Sequence, residues 1–213
     1  MSMALLGAML LSCSKELPLP VTLDSQVAER ALKQSASVNI GPGERIIGSA
    51  MLLPNGRIVT NLHVVQHRTD SVRITLDGAN FIPVKLIAKD TQTDLALFQL
   101  PPDEYSDLSL PEIADPQAGI PIFAYGAAFG LHQSYLQGYI SHPERRLEKD
   151  TPHYVQTQGI TCPGMSGAPV YTLRGHWVGI NRAAYGYSVG TGIGLIIPAS
   201  TVRAFLDQSG AEN

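Results

Sequence analysis

Ile46-Ile47-Gly48-Ser49-Ala50-Met51-Leu52-Leu53-Pro54-Asn55-Gly56-Arg57-Ile58-Val59-Thr60-Asn61-Leu62-His63 is the stretch that decides the class of fold. Two apolar runs, Ile46 to Leu53 and Arg57 to Leu62, flank an Asn-Gly turn, a strong β-hairpin signal. The same grammar continues along the chain. Strands are expected at Ser71 to Leu76, Ile82 to Ala88, Leu95 to Leu100, Ile120 to Tyr125, Gln133 to Ser141, Tyr154 to Gln158, Ala168 to Leu173, Trp177 to Asn181 and Gly192 to Ile197. They are short, close together and separated by Gly, Pro, Asn or Asp, the pattern of sandwiches and barrels rather than of alternating α/β units. Composition agrees, since 20 Gly and 15 Pro in 213 residues exceed what a helical bundle tolerates and fall short of a disordered chain. A net charge of -3 with 15% charged residues lacks the basic excess of a nucleic-acid or anionic-membrane binder, so neither partner is expected.

Outward from the hairpin, Asp24 to Gln34 spaces Val27, Ala28, Ala31 and Leu32 for a short amphipathic helix with Asp24 as N-cap. Val202, Phe205 and Leu206 give Thr201 to Gln208 one apolar face, and Ser200 is the expected cap of that terminal helix. Pro101 to Gly119, with four Pro and five acidic residues, reads as the link between two β lobes. The run Ala4 to Leu11 is far shorter than the roughly 20 residues of a membrane span but suits the apolar part of a signal peptide. It ends at Leu10-Leu11-Ser12-Cys13, which resembles a bacterial lipoprotein cleavage box with Cys13 as lipid attachment site. Pro18 and Pro20 would then stiffen a tether. An ordinary leader with Cys13 incidental is the alternative. Cysteines 13 and 162 make no disulfide framework.

Three places join a reactive side chain to unusual local grammar: His63 at the end of an apolar strand, Asp94 at the head of another, and Ser166 within Pro163-Gly164-Met165-Ser166-Gly167-Ala168-Pro169. Nucleophilic serine catalysis needs a base for the hydroxyl proton, an acid to orient that base, and N–H groups aimed at an oxyanion. Ser166, His63 and Asp94 supply the side chains, and the N–H groups of Gly164 and Ser166 the oxyanion hole. The order His, Asp, Ser excludes the α/β-hydrolases, where serine comes first in a Gly-x-Ser-x-Gly elbow. His63 and His67 lie four apart, but with no Glu after His63 and no third ligand no metal is expected. Cys162 reads as a small buried hydrophobe rather than a nucleophile.

Taken together the sequence resembles the trypsin-like (chymotrypsin-fold) serine proteases, and among them the bacterial HtrA/Deg type. The resemblance runs over about residues 24 to 208 and rests on Gly48 to Val65, Asp94-Leu95-Ala96-Leu97, Tyr125 to Leu131, Gln137 to Ser141, Thr157 to Val170, Val178 to Asn181 and Gly192 to Pro198. It implies an all-β fold of two antiparallel six-stranded β-barrels, with a short N-terminal helix and a C-terminal helix. The domain plan is then a leader and tether over residues 1-20 and a peptidase domain over 21-213. Within it, barrel one spans about 36-110, barrel two about 118-198 and the helix about 200-208. Met165 stands where animal enzymes carry an Asp that pairs with a new N-terminus, so that route of activation is not expected. Ala168 replaces a commoner Gly. With Asn213 the last residue, no PDZ domain is expected. Pocket walls implied by the resemblance are Ile160, Thr161 and Cys162, with Asn181 to Ala183 and Ile193 to Leu195 opposite. No acid lies at the base, which points to a small or medium apolar residue before the scissile bond. Asn181 to Ala183 would take the substrate backbone as an added strand, with Thr161, Asn181 and Ala183 as substrate-binding residues. Arg182 either meets acidic substrate residues or is a solvated surface cation. The implied partners are protein or peptide substrates, with membrane contact only through a lipid anchor at Cys13, and no cofactor. The alternative is a catalytically silent peptide-binding module.

Overall fold

A computed structural model of the chain describes residues 22–43, 45–101, 108–149, 151–184 and 192–210. Helix α1 (Ser25–Lys33) leads into β1 (Ser35–Ile40), β2 (Ile46–Leu53), β3 (Arg57–Asn61), the one-turn helix α2 (Leu62–Val65), β4 (Val72–Thr75), β5 (Ile82–Pro83), β6 (Lys85–Asp90) and β7 (Leu95–Gln99). The second half contains β8 (Pro121–Gly126), β9 (Ser134–Arg146), β10 (His153–Gln158), β11 (Pro169–Thr172), β12 (Trp177–Ala184), β13 (Ile193–Pro198) and helix α3 (Ala199–Gln208). The leader and Cys13 lie outside the described residues.

The all-β expectation holds, and the second lobe is a closed six-stranded barrel in the order β10-β13-β12-β11-β8-β9. The first lobe differs from the expected six-stranded barrel. It is a seven-stranded sheet, β5-β4-β1-β2-β3-β7-β6, whose edge strands are not hydrogen-bonded to each other. Those edges are consecutive in the chain, separated only by Val84, whose N–H turns to Val72 O at 3.1 Å. Pro83 has no N–H to extend a ladder, so one long expected strand splits in two and the sheet rounds on itself through the backbone.

Local choices explain the elements. Asp24 caps α1 as expected, its Oδ1 accepting from the N–H groups of Gln26 at 2.8 Å and Val27 at 3.3 Å. At the hairpin turn Asn55 and Gly56 take φ of 60° and 68°, which is why an Asn-Gly pair stands there. Strand β1 is absent from the sequence reading, although Ala36, Val38 and Ile40 alternate with polar residues. Helix α3 starts at Ala199, with Pro198 rather than Ser200 at the N-cap and no side-chain cap bond.

Three apolar clusters organise the interior. Ala36, Val38, Leu52, Ile58, Ile74 and Phe98 fill the first lobe, and Ile122, Ala124, Val155, Val170, Val178 and Ile196 fill the second. Met51, Val59 and Leu97 point the other way, joining Phe123, Trp177, Ile197, Val202 and Phe205 in a third cluster between the lobes and under α3. Strands β2, β3 and β7 are therefore buried on both faces, which accounts for adjacent apolar residues such as Met51-Leu52-Leu53, Ile58-Val59 and Leu95 to Phe98. At roughly 1.5–3 kcal/mol per buried large apolar side chain, this shared layer is what fixes one lobe on the other.

Candidate active site

Asp94 takes a left-handed φ of 61° at the turn that starts β7, a conformation unusual outside glycine. That turn is held from the neighbouring strand end. Asp94 O accepts from the Leu62 N–H at 2.9 Å and from Asn61 Nδ2 at 3.3 Å. The carboxylate consequently faces the next residue along. Oδ1 accepts from the His63 backbone N–H at 2.9 Å, and Oδ2 lies 2.7 Å from His63 Nδ1. A carboxylate on Nδ1 puts the proton there and leaves Nε2 as the basic nitrogen. His63 was expected at the end of a strand. It lies two residues past the end of β3, as the second residue of α2, and its side chain is 40% exposed while that of Asp94 is 11% exposed.

Ser166 comes from the other lobe, in the turn before β11. Gly164 and Gly167 flank it with φ of 91° and 92°, and a Cβ at either would run into the carbonyl of Ala127 or of Ser49. The turn is pinned by the Met165 N–H to Cys162 O at 3.1 Å, the Ala168 N–H to Met165 O at 3.0 Å, and the Gly167 N–H to Asn181 O at 2.8 Å. The Ser49 hydroxyl donates to Gly164 O at 2.7 Å, and the Phe129 N–H to Pro163 O at 2.7 Å. Among the described residues, the N–H groups of Gly164 and Ser166 have no acceptor, unlike their neighbours. This is the condition an oxyanion site requires. The Ser166 hydroxyl itself donates to Arg182 O at 2.8 Å, not to His63.

The expected pocket residues divide. Thr161 Oγ1 donates to Asn181 Oδ1 at 2.9 Å, and Asn181 Nδ2 to Ile160 O at 2.8 Å. Asn181 is fully buried with its backbone groups paired to Gly167 and Ala168, so its observed task is to hold the nucleophile turn against β12 rather than to meet a peptide. Ala183 continues β12 opposite Leu195. Residues 185–191, beyond it, lie outside the described residues. A Cβ on Gly194 would strike Thr161 Oγ1, so the wall between β13 and the loop is tight. Burial pushes the Cys162 thiol above its ordinary pKa, only partly offset by its contact with the Phe129 backbone. It therefore stays a thiol and is a poor nucleophile.

Arg182 is neither a solvated cation nor free for substrate. The pairing of β12 with β13 slips between Asn181 and Ala183, a bulge with Arg182 as the extra residue. Its side chain turns inward, Nε 3.0 Å from Asp94 Oδ2. Nothing in its local sequence signals this. The bulge depends on how two distant strands pair.

Two antiparallel β lobes joined by a shared apolar layer, with a His-Asp pair on one and a Gly-flanked serine on the other, define the class of chymotrypsin-fold proteins. The family model for a trypsin-like peptidase domain matches residues 48–180, and the chain belongs to that family. It is 32% identical over 167 residues to a probable periplasmic serine endoprotease DegP-like of Halomonas elongata, covering 77% of this chain and 35% of that protein. A protein of the same description from Rickettsia conorii is 33% identical over 171 residues, covering 76% and 33%. The chain thus spans about a third of the length of the curated relatives it matches. A solved variant of the HtrA-type protease AlgW with a tripeptide superposes with a TM-score of 0.72 at 26% identity. That match covers 88% of this chain and 63% of the other.

Proposed function

We propose that the chain is a serine endopeptidase of the HtrA/Deg type that cleaves peptide bonds through His63, Asp94 and Ser166. The observation that carries this reading is the 2.7 Å contact of His63 Nδ1 with Asp94 Oδ2, which leaves Nε2 as a base. In the first step Ser166 rotates off Arg182 O, and its Oγ attacks the scissile carbonyl carbon while His63 Nε2 takes the hydroxyl proton. Asp94 stabilises the resulting imidazolium, and the N–H groups of Gly164 and Ser166 hold the oxyanion. Collapse expels the amine, protonated by His63. Water then attacks the acyl-enzyme with His63 as base, releasing the second product and restoring Ser166.

The tight, apolar-backed wall of Ile160, Thr161 and Gly194 supports a small or medium apolar residue before the scissile bond. Ala183 and the Arg182 carbonyl would pair with the substrate backbone. The names of the relatives favour a bacterial periplasmic setting, and the mass of the mature N-terminus tests the anchor. A start other than lipidated Cys13 rejects it.

A second reading, a silent peptide-binding module, has one observation in its favour: Ser166 is engaged with Arg182 O. Labelling with an active-site-directed fluorophosphonate separates the two. Labelling of the wild type that is absent in Ser166→Ala supports the peptidase, and equal absence in both supports the binding module.

A further inference from the structure

Arg182 meets both ends of the proposed triad. Its carbonyl accepts from Ser166 Oγ, and its guanidinium sits on Asp94. The side chain is 30% exposed, lies with its guanidinium carbon 5.3 Å from the centre of the buried Tyr154 ring, and puts Nε out of reach of solvent. That Nε, although 3.0 Å from Asp94 Oδ2, makes no aligned hydrogen bond. The contact is thus one of charge rather than a directed donor. The same Oδ2 is the oxygen on which His63 Nδ1 rests.

We propose that Arg182 is a positioning residue that acts through Asp94: its cation competes with His63 Nδ1 for Oδ2, so that the carboxylate holds the imidazole less firmly, at the expense of the highest attainable rate. This inference rests on the peptidase reading of the same site. A fixed cation on the carboxylate offsets part of the negative charge that an imidazolium would otherwise enjoy, and it repels that imidazolium directly. In the transition state the same cation weakens the stabilisation that Asp94 offers. Against the His63–Asp94 pair lies Arg182 from β12, whose guanidinium also faces the Tyr154 ring of β10. Among the described residues, Asp94 has no ion-pair partner besides His63 and Arg182.

Two measurements decide it. The first is the limiting rate of inactivation by a fluorophosphonate, reached where it no longer rises with pH, compared for wild type, Arg182→Thr and Arg182→Lys. That rate is expected to be higher in Arg182→Thr and to stay near wild type in Arg182→Lys, which keeps the charge. A limiting rate that falls in Arg182→Thr reduces Arg182 to a structural residue and overturns the proposal. The second needs no reactivity. In the Ser166→Ala background, the low-field proton resonance of the His63 Nδ1–H is expected to move downfield when Arg182→Thr removes the competing cation, and to remain in place with Arg182→Lys. An unmoved resonance overturns the proposal. If the wild type shows no Ser166-dependent reaction, the peptidase reading fails and the resonance alone decides this one. Arg182→Gln, which keeps the length of the side chain, replaces the threonine variant should that variant not fold.

Discussion

Asn181 has no reactive atom, yet four of its groups bind the nucleophile turn. Its N–H donates to Ala168 O, its carbonyl accepts from Gly167, its Nδ2 donates to Ile160 O and its Oδ1 accepts from Thr161. Asn181→Ala removes the last two bonds in a fully buried place and leaves Ile160 O and Thr161 Oγ1 unpaired. A loss of about 2–3 kcal/mol is expected, read as the change in unfolding free energy in urea. A change within error would mean that water fills the gap. Cys162 invites a different measurement. With burial holding its thiol above the ordinary range, alkylation by iodoacetamide should lag that of the urea-unfolded chain throughout neutral and mildly alkaline pH. Equal rates would refute the burial argument. The proposed triad of His63, Asp94 and Ser166 stands out in the sequence because each residue lies at or near a strand end or in a glycine turn, where a reactive side chain is conspicuous. The contacts that Arg182 and Asn181 make do not. The first is aimed by a bulge and the second by pairing with a segment twenty residues away.

Elements were legible where the pattern is local. The hairpin β2–β3 follows from Asn55-Gly56, and β7 from an apolar run that is buried on both faces. The split of β5 from β6 hinges on one missing N–H at Pro83 and on where Val84 finds its acceptor, which is a matter of pairing rather than pattern. The turn between β4 and β5 is another such case. Asp77 Oδ1 accepts from the N–H groups of Asn80 at 2.8 Å and Ala79 at 2.9 Å and from Thr75 Oγ1 at 3.0 Å, while Asn80 Nδ2 reaches its Oδ2 at 2.6 Å. These donors, the Asn80 N–H foremost, hold its carboxyl far below the usual carboxylate range. A carboxyl whose folded value is depressed stabilises the fold fully above its unfolded value and loses that contribution as pH falls toward the folded one. Asp77→Ala should therefore lower the melting temperature at pH 7 and narrow its gap to wild type as pH drops well below 4. A gap that does not shrink would show that the turn depends on the shape of Asp77 rather than on its charge.

At the scale of the molecule, the two lobes could be anticipated from the acidic, proline-bearing link between them, but not the way in which the first lobe braces the nucleophile of the second. That brace is Ser49, fully buried on β2. Its N–H donates to Ser166 O at 2.8 Å, and its hydroxyl donates to Gly164 O at 2.7 Å and accepts from the Ala127 N–H at 2.8 Å. One side chain of the histidine-bearing lobe thus sets the peptide that follows Gly164, next to the proposed oxyanion donors. Packing alone, through Met51, Val59 and Leu97, would let the lobes slide by fractions of an ångström without leaving a void. The Ser49 hydroxyl would not, because both of its bonds lengthen at once. Ser49→Ala is expected to cost about 1–3 kcal/mol in unfolding free energy, from a buried Ala127 N–H and a half-buried Gly164 carbonyl left unpaired. It should also slow Ser166-dependent fluorophosphonate labelling about ten-fold or more, because small displacements in an oriented site are penalised steeply. Labelling at the wild-type rate in a destabilised Ser49→Ala protein would separate stability from site geometry, and would leave the lobes coupled by their apolar layer alone.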